Sequence, residues 1–205
     1  VQLDLHHYQE LIDAPDQHRQ RFLAIWRQIA RAYRDMPPTL LFEPLNEPNG
    51  PHWRSPRLED LQADVIAAIR EHNAERVIVL GPANWQNINA LSEWQAPHDE
   101  WVSASVHYYE PHAFTHQNAE WLRPAPTFPR QWGTESDIAT VRAHIRTAAE
   151  WHARRGGAMQ LGEFGVNRAV PIAQRAAWTR TVREACETHR IAWCVWDFAG
   201  AFPVW

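Results

Sequence analysis

The run Thr39-Leu40-Leu41-Phe42-Glu43-Pro44-Leu45-Asn46-Glu47-Pro48 is an apolar stretch of strand length that breaks off at Asn-Glu-Pro. A different period follows. Leu58, Leu61, Val65 and Ile69 recur at three or four residues, the spacing of one helix face. A second short apolar run, Arg76–Gly81, comes next. Strand, helix and strand in that order form a β-α-β unit, whose strands run parallel because the helix returns the chain to its starting edge.

The same alternation extends both ways. Upstream lie a strand over Val1–Leu5 and a helix marked by Phe22, Ile25/Trp26, Ile29 and Tyr33. Downstream are strands over Trp101–His107, Ala158–Gly162 and Ile191–Trp196. Helices marked by Val141, Ile145 and Ala148/Ala149, and by Ala177/Trp178, Val182 and Ala185/Cys186, separate them. Ser55-Pro56 suits a helix N-cap with proline in the first turn, and Gly156-Gly157 suits a helix end. Ala83–Asp99 is less regular, with a short helix near Ile88–Trp94. No glycine-rich phosphate loop follows any strand, which weighs against an open nucleotide-binding sheet. The unusual polar residues fall at strand ends: His6, Asn46 and Glu47, His107, Glu163 and Trp196. In a barrel those ends converge on one face, where barrel enzymes keep their chemistry. The expected fold is therefore α/β, of the (β/α)8 TIM-barrel type but incomplete, carrying about strands 3 to 8. Residues 1–205 read as one partial barrel domain without the first two βα units.

Composition excludes other classes. The 205 residues are 45% hydrophobic and 21% charged, with net charge −4 and mean hydropathy −0.52. No apolar run reaches the roughly 18 residues of a membrane span. Lys and Arg are scattered among acids, not gathered into the basic face that a nucleic-acid partner needs. Cys186 and Cys194 read as buried thiols and not as a disulfide. Tryptophan occurs 12 times, an excess that fits either core or a sugar-stacking cleft. Trp26, Trp151 and Trp178 fall in helical patterns and read as core; Trp53, Trp85, Trp121 and Trp196 follow or end strands and are cleft candidates.

Glu47 and Glu163 carry the chemistry. Glu163 lies in Leu161-Gly162-Glu163-Phe164-Gly165, where the glycines permit a tight exit from the strand. Far apart in sequence, the two glutamates meet only through the fold. Glycoside hydrolysis requires such a pair, one acid to protonate the leaving oxygen and one carboxylate on the other side of the anomeric carbon. Two carboxylates held close together also raise one pKa, which keeps a proton available near neutrality. Asn46 is suited to bonding a sugar hydroxyl. Strand parity sends His6 inward with Asp4 and His7 towards the rim, and adjacent histidines on a strand diverge. Ser103, Ser105 and His107 share parity with Tyr109, whose hydroxyl could bond a carboxylate nucleophile. The 12 histidines suggest a rival, a metal-dependent barrel hydrolase, but no third ligand joins His6 and His107. The other rival is a barrel that binds carbohydrate without cutting it. No metal or cofactor is called for.

Together, Leu3-Asp4-Leu5-His6-His7-Tyr8, Asn46-Glu47-Pro48, His107-Tyr108-Tyr109, Gly162-Glu163-Phe164-Gly165 and Trp196 resemble glycoside hydrolase family 5, in that family's order and spacing. Phe114-Thr115-His116-Gln117 and Glu120-Trp121 look most like its bacterial endo-β-1,4-glucanases, some of which also cut mannan. The resemblance implies a retaining, endo-acting β-glycoside hydrolase, acting on cellulose-type β-1,4-glucan, with β-mannan and xyloglucan as alternatives. Glu163 would be the nucleophile and Glu47 the acid/base. His107 and Tyr109 would orient Glu163, His6 and Asn46 would bind near the reacting sugar, His7 would be a further substrate-binding or supporting residue, and Trp196 would be the stacking floor for a sugar ring. Tyr108–Ser136 would be a long loop over the cleft, with His116 and Trp121 as contacts; Trp85 is a further contact. The family's nucleophile-bonding arginine on the second strand, and its last helix, have no counterpart here. The implied protein is secreted or periplasmic, acts on a polysaccharide or oligosaccharide, and is monomeric at full length.

Overall fold

The computed structural model describes residues 1–124 and 130–204. Among the described residues six strands occur: β1 Gln2–Asp4, β2 Leu41–Glu43, β3 Ile78–Leu80, β4 Val102–Tyr108, β5 Ala158–Phe164 and β6 Ala192–Trp193. Their order in the sheet is their order in the chain. The pairs β1–β2, β2–β3, β3–β4 and β5–β6 are all parallel. Helices Pro15–Ala32, Arg57–Arg70, Glu135–Arg155 and Ile172–Thr188 alternate with them, as the hydrophobic periods require.

The regular strands are shorter than the apolar runs. β2 stops at Glu43 because Pro44 has no N–H to continue the ladder. Pairing goes on irregularly beyond it: Leu5 N–H donates to the Glu43 carbonyl at 3.1 Å, and Asn46 N–H to the Leu5 carbonyl at 3.3 Å. β6 behaves alike, with Cys194 N–H reaching Leu161 O and Trp196 N–H reaching Phe164 O, both at 2.9 Å. Two local expectations need correction. The helix after Ser55-Pro56 starts at Arg57, Pro56 is itself the cap residue, and no side chain caps it. The segment near Ile88–Trp94 is a 3-10 turn over Ile88–Ser92, opened by Asn87, whose side chain accepts from Asn89 N–H at 2.9 Å. Gly156 and Gly157 do end their helix, at φ of 75° and 82°.

The chain forms two compact units, Val1–Ser105 with Gly156–Ala158, and Val106–Arg155 with Met159–Trp205. The first packs Leu11, Phe22, Trp26, Phe42, Val65, Ile69 and Ile78, all buried, each such side chain contributing about 1.5–3 kcal/mol. The Trp26 indole N–H bonds the Pro44 carbonyl at 3.0 Å, which anchors the exit from β2. Arg76 is buried, and its guanidinium donates to the carbonyls of Tyr33, Met36, Pro37 and Leu40. Those bonds fix the turn that leads into β2. The second unit packs Phe114, Val141, Ile145, Phe164, Trp178 and Val182. Trp178 stacks on Tyr108 at 6.1 Å and donates to the Glu110 carbonyl at 3.1 Å, holding the exit from β4.

Trp26 and Trp178 are core, while Trp151 is only half-buried, with the Arg155 guanidinium over its ring. Trp53 is not a cleft residue. It is 1% exposed and its indole N–H bonds the Ile12 carbonyl at 3.0 Å, so it belongs to the core. Cys186 is buried but Cys194 is exposed, because it extends β6, the last strand in the sheet order and therefore an edge. In the stretch Tyr108–Ser136 the described residues include the short helix His112–Thr115 and the start of the helix Glu135–Arg155, and residues 125–129 lie outside those described. Among the described residues no helix is long and apolar enough to cross a membrane.

Candidate active site

In the first unit the turn after β2 carries Asn46 and Glu47. Glu47 has a φ of 46°, in the left-handed region that side-chain-bearing residues avoid. Its carbonyl accepts from Asn49 Nδ2 at 2.8 Å and its N–H donates to Gln86 Oε1 at 2.8 Å. Asn46 is 6% exposed, and its buried Oδ1 has no hydrogen-bond partner among the described residues. Such an atom costs about 1–3 kcal/mol unless a ligand satisfies it. Trp85 is 53% exposed, on a turn over Ala83–Gln86. His6 is half-buried and bonds the Asp4 carboxylate at 2.7 Å. That bond, ahead of the opposing effect of burial, holds Asp4 below the usual carboxylate range. His7 is exposed, with its ring 4.6 Å from that of His6. The expected divergence of the two histidines fails because β1 ends at Asp4, so neither lies on a regular strand.

In the second unit β4 and β5 supply the other group. Glu163 lies on β5 and is 9% exposed. Tyr109, just past β4, donates its hydroxyl to Glu163 Oε2 at 2.8 Å. His107, on β4 and 3% exposed, places Nδ1 3.5 Å from the same oxygen. Three residues singled out in the sequence are thus in one cluster. Trp196 is half-buried beside it. Its carbonyl lies where a Cβ on Gly165 would stand, so Gly165 is required for close packing of the two chain segments.

His116 and Trp121 form the outer part of this cluster. The Thr115 hydroxyl donates to the Tyr109 carbonyl at 2.6 Å and lies 2.9 Å from His116 Nδ1. A hydroxyl has one proton, and a carbonyl can only accept it. His116 Nδ1 must therefore carry its own proton and donate to Thr115. Burial, helped by neighbouring His112, pushes the His116 pKa down to about 3. His116 is a neutral imidazole at ordinary pH, with Nε2 as its acceptor. Trp121 is 54% exposed, 6.2 Å from His116 and 5.8 Å from Phe202.

The profile described as Cellulase (glycosyl hydrolase family 5) matches residues 1–201. The chain belongs to glycosyl hydrolase family 5. Endoglucanase H of Acetivibrio thermocellus is 29% identical over 178 residues, 87% of this family 5 chain and 19% of that protein. Thermotoga maritima Cel5A, solved in complex with cellobiose, is 34% identical with a TM-score of 0.96, over 100% of this chain and 67% of that one. A Cel5A structure with mannotriose gives the same figures. The chain spans about a fifth of Endoglucanase H and about two thirds of another solved endoglucanase, matched at a TM-score of 0.96. The fold is accordingly that of the family 5 (β/α)8 barrel, in incomplete form.

Sequence reasoning did not single out Glu43, Gln86 or Phe202, each of which touches residues that it did name or their neighbours. Glu43 is a buried carboxylate holding Gln2 Nε2 at 2.5 Å and Gln86 Nε2 at 3.1 Å. A lone acid within Leu41-Phe42-Glu43 was a visible signal of an inward polar position. Gln86 and Phe202 gave none, since each meets residues distant in sequence.

Proposed function

We propose that this chain is the catalytic part of an endo-acting, retaining β-1,4-glucanase. The observation that carries the reading is the buried Glu163 carboxylate, held by the Tyr109 hydroxyl at 2.8 Å with His107 beside it. A charge-assisted bond of that kind fixes the carboxylate and favours its ionised form. A Glu163 oxygen attacks the anomeric carbon as the bond to the departing sugar breaks, and Glu47 gives its proton to the leaving oxygen. Water then attacks the same carbon, Glu47 takes its proton, and Glu163 departs as a carboxylate. The buried Oδ1 of Asn46 is suited to a hydroxyl of the reacting sugar. Trp196, Trp85 and Trp121 offer faces for sugar rings, and His6, His7 and His116 offer ring nitrogens. Secretion or periplasmic location belongs to the same proposal, since polymeric glucan lies outside the cell.

On carboxymethylcellulose, viscosity should fall faster than reducing ends accumulate, and the first product seen by proton NMR should be the β-anomer. Release of the α-anomer first, or no cleavage, defeats the reading. Mannan and xyloglucan belong in the same assay, because Cel5A has been solved with mannotriose as well as cellobiose. A Tyr109→Phe substitution keeps the ring and removes the bond to Glu163 Oε2. Such bonds contribute about 1.5–3 kcal/mol, so kcat/KM on cellotetraose should drop by about 10–100-fold, with an unchanged melting temperature.

A further inference from the structure

We propose that Gln86 is a positioning residue for Glu47, an inference that rests on the reading of Glu47 as the acid/base. Gln86 is fully buried, although Asn84 and Trp85 before it are exposed. All three have left-handed backbones, at φ of 59°, 57° and 51°, and none is glycine. Such conformations persist only where the surroundings over-determine them. Here the turn is built to drive one amide inward while Trp85 faces out. The amide's orientation follows from its partners. A peptide N–H can only donate, so Oε1 faces Glu47 N at 2.8 Å, and the Glu43 carboxylate accepts from Nε2 at 3.1 Å.

Space for the amide is reserved. A Cβ on Gly81 would lie 2.6 Å from both Gln86 Cγ and Nε2. The Gly81 carbonyl is held by Gln62 Nε2 at 2.8 Å, and Gln62 in turn accepts from the Trp94 indole at 2.9 Å. Trp85 N–H adds a second tie, to the Pro48 carbonyl at 3.3 Å. The bond to Glu47 matters because of what it fixes. φ is rotation about the N–Cα bond, so clamping the peptide N–H of a residue at φ 46° sets the direction in which its Cα–Cβ bond leaves. Gln86 thereby aims the Glu47 side chain without touching substrate.

The test is Gln86→Leu, which keeps the volume and loses both bonds, assayed as kcat/KM on two substrates. Cellotetraose has a sugar leaving group that needs a proton, whereas 2,4-dinitrophenyl β-cellobioside has a phenolate that needs none. kcat/KM reports the first chemical step in both cases. A mispositioned acid should lower kcat/KM about tenfold or more on cellotetraose and about twofold or less on the aryl substrate. Hydrogen exchange at the Glu47 amide should quicken by about tenfold, while exchange at Phe42 and Ile78 stays unchanged. Should Gln86→Leu not fold, Gln86→Asn keeps the amide but is one methylene too short to reach both partners, and it should give the same split. Equal losses on both substrates, or none on either, overturn the positioning role. A parent protein inert on both overturns the acid/base reading itself, and the positioning role with it.

Discussion

Glu163→Gly is expected to lower kcat on cellotetraose by about 10,000-fold or more, and azide should restore cleavage with formation of the α-glycosyl azide. In the proposed mechanism the substitution removes the group that forms the bond to the anomeric carbon in the first step. The glycine leaves a hole lined by Tyr109 and His107, which bonded the lost carboxylate. A small anion fits where the carboxylate was and attacks from the same face. With no second displacement, the product keeps the inverted configuration. Glu163→Gln should still bind cellotetraose, as followed by tryptophan fluorescence, because the amide preserves the shape. Sugar release by both variants at the parental rate would remove Glu163 from the mechanism.

Glu47→Ala should separate substrates by their leaving groups. On cellotetraose the loss is expected to be about 100–10,000-fold, the range for a general acid. On 2,4-dinitrophenyl β-cellobioside kcat/KM should change little, since that departure needs no proton. The glycosyl-enzyme then accumulates because the general base is also gone, and azide should discharge it as the β-glycosyl azide. Two displacements restore the starting configuration, so the two glutamates give azides of opposite anomeric form. Identical anomers from both variants would show that the roles are misassigned.

Much of this was legible along the chain. The alternation of periods gave the parallel β-α-β plan, and the polar residues after apolar runs marked Glu47, His107 and Glu163 before any contact was known. Tyr109 was found by parity with His107, and its bond to Glu163 agrees with that reading. Misreadings came where local pattern and tertiary packing part company. Trp53 follows a strand but is buried against Ile12. His6 and His7 sit past the end of β1, where strand alternation no longer applies.

The sequence by itself determined the fold class and singled out Glu47 and Glu163 as the candidate carboxylates, because strand and helix periods and strand-end chemistry are local properties of the chain. Only the tertiary structure decided what holds them. The Gln86 amide between Glu43 and Glu47, the Tyr109 hydroxyl on Glu163, and the space kept open at Gly81 and Gly165 all join residues far apart in the chain. A hydrogen bond of that kind depends on where two backbones come to rest, and no periodicity in either segment encodes that meeting.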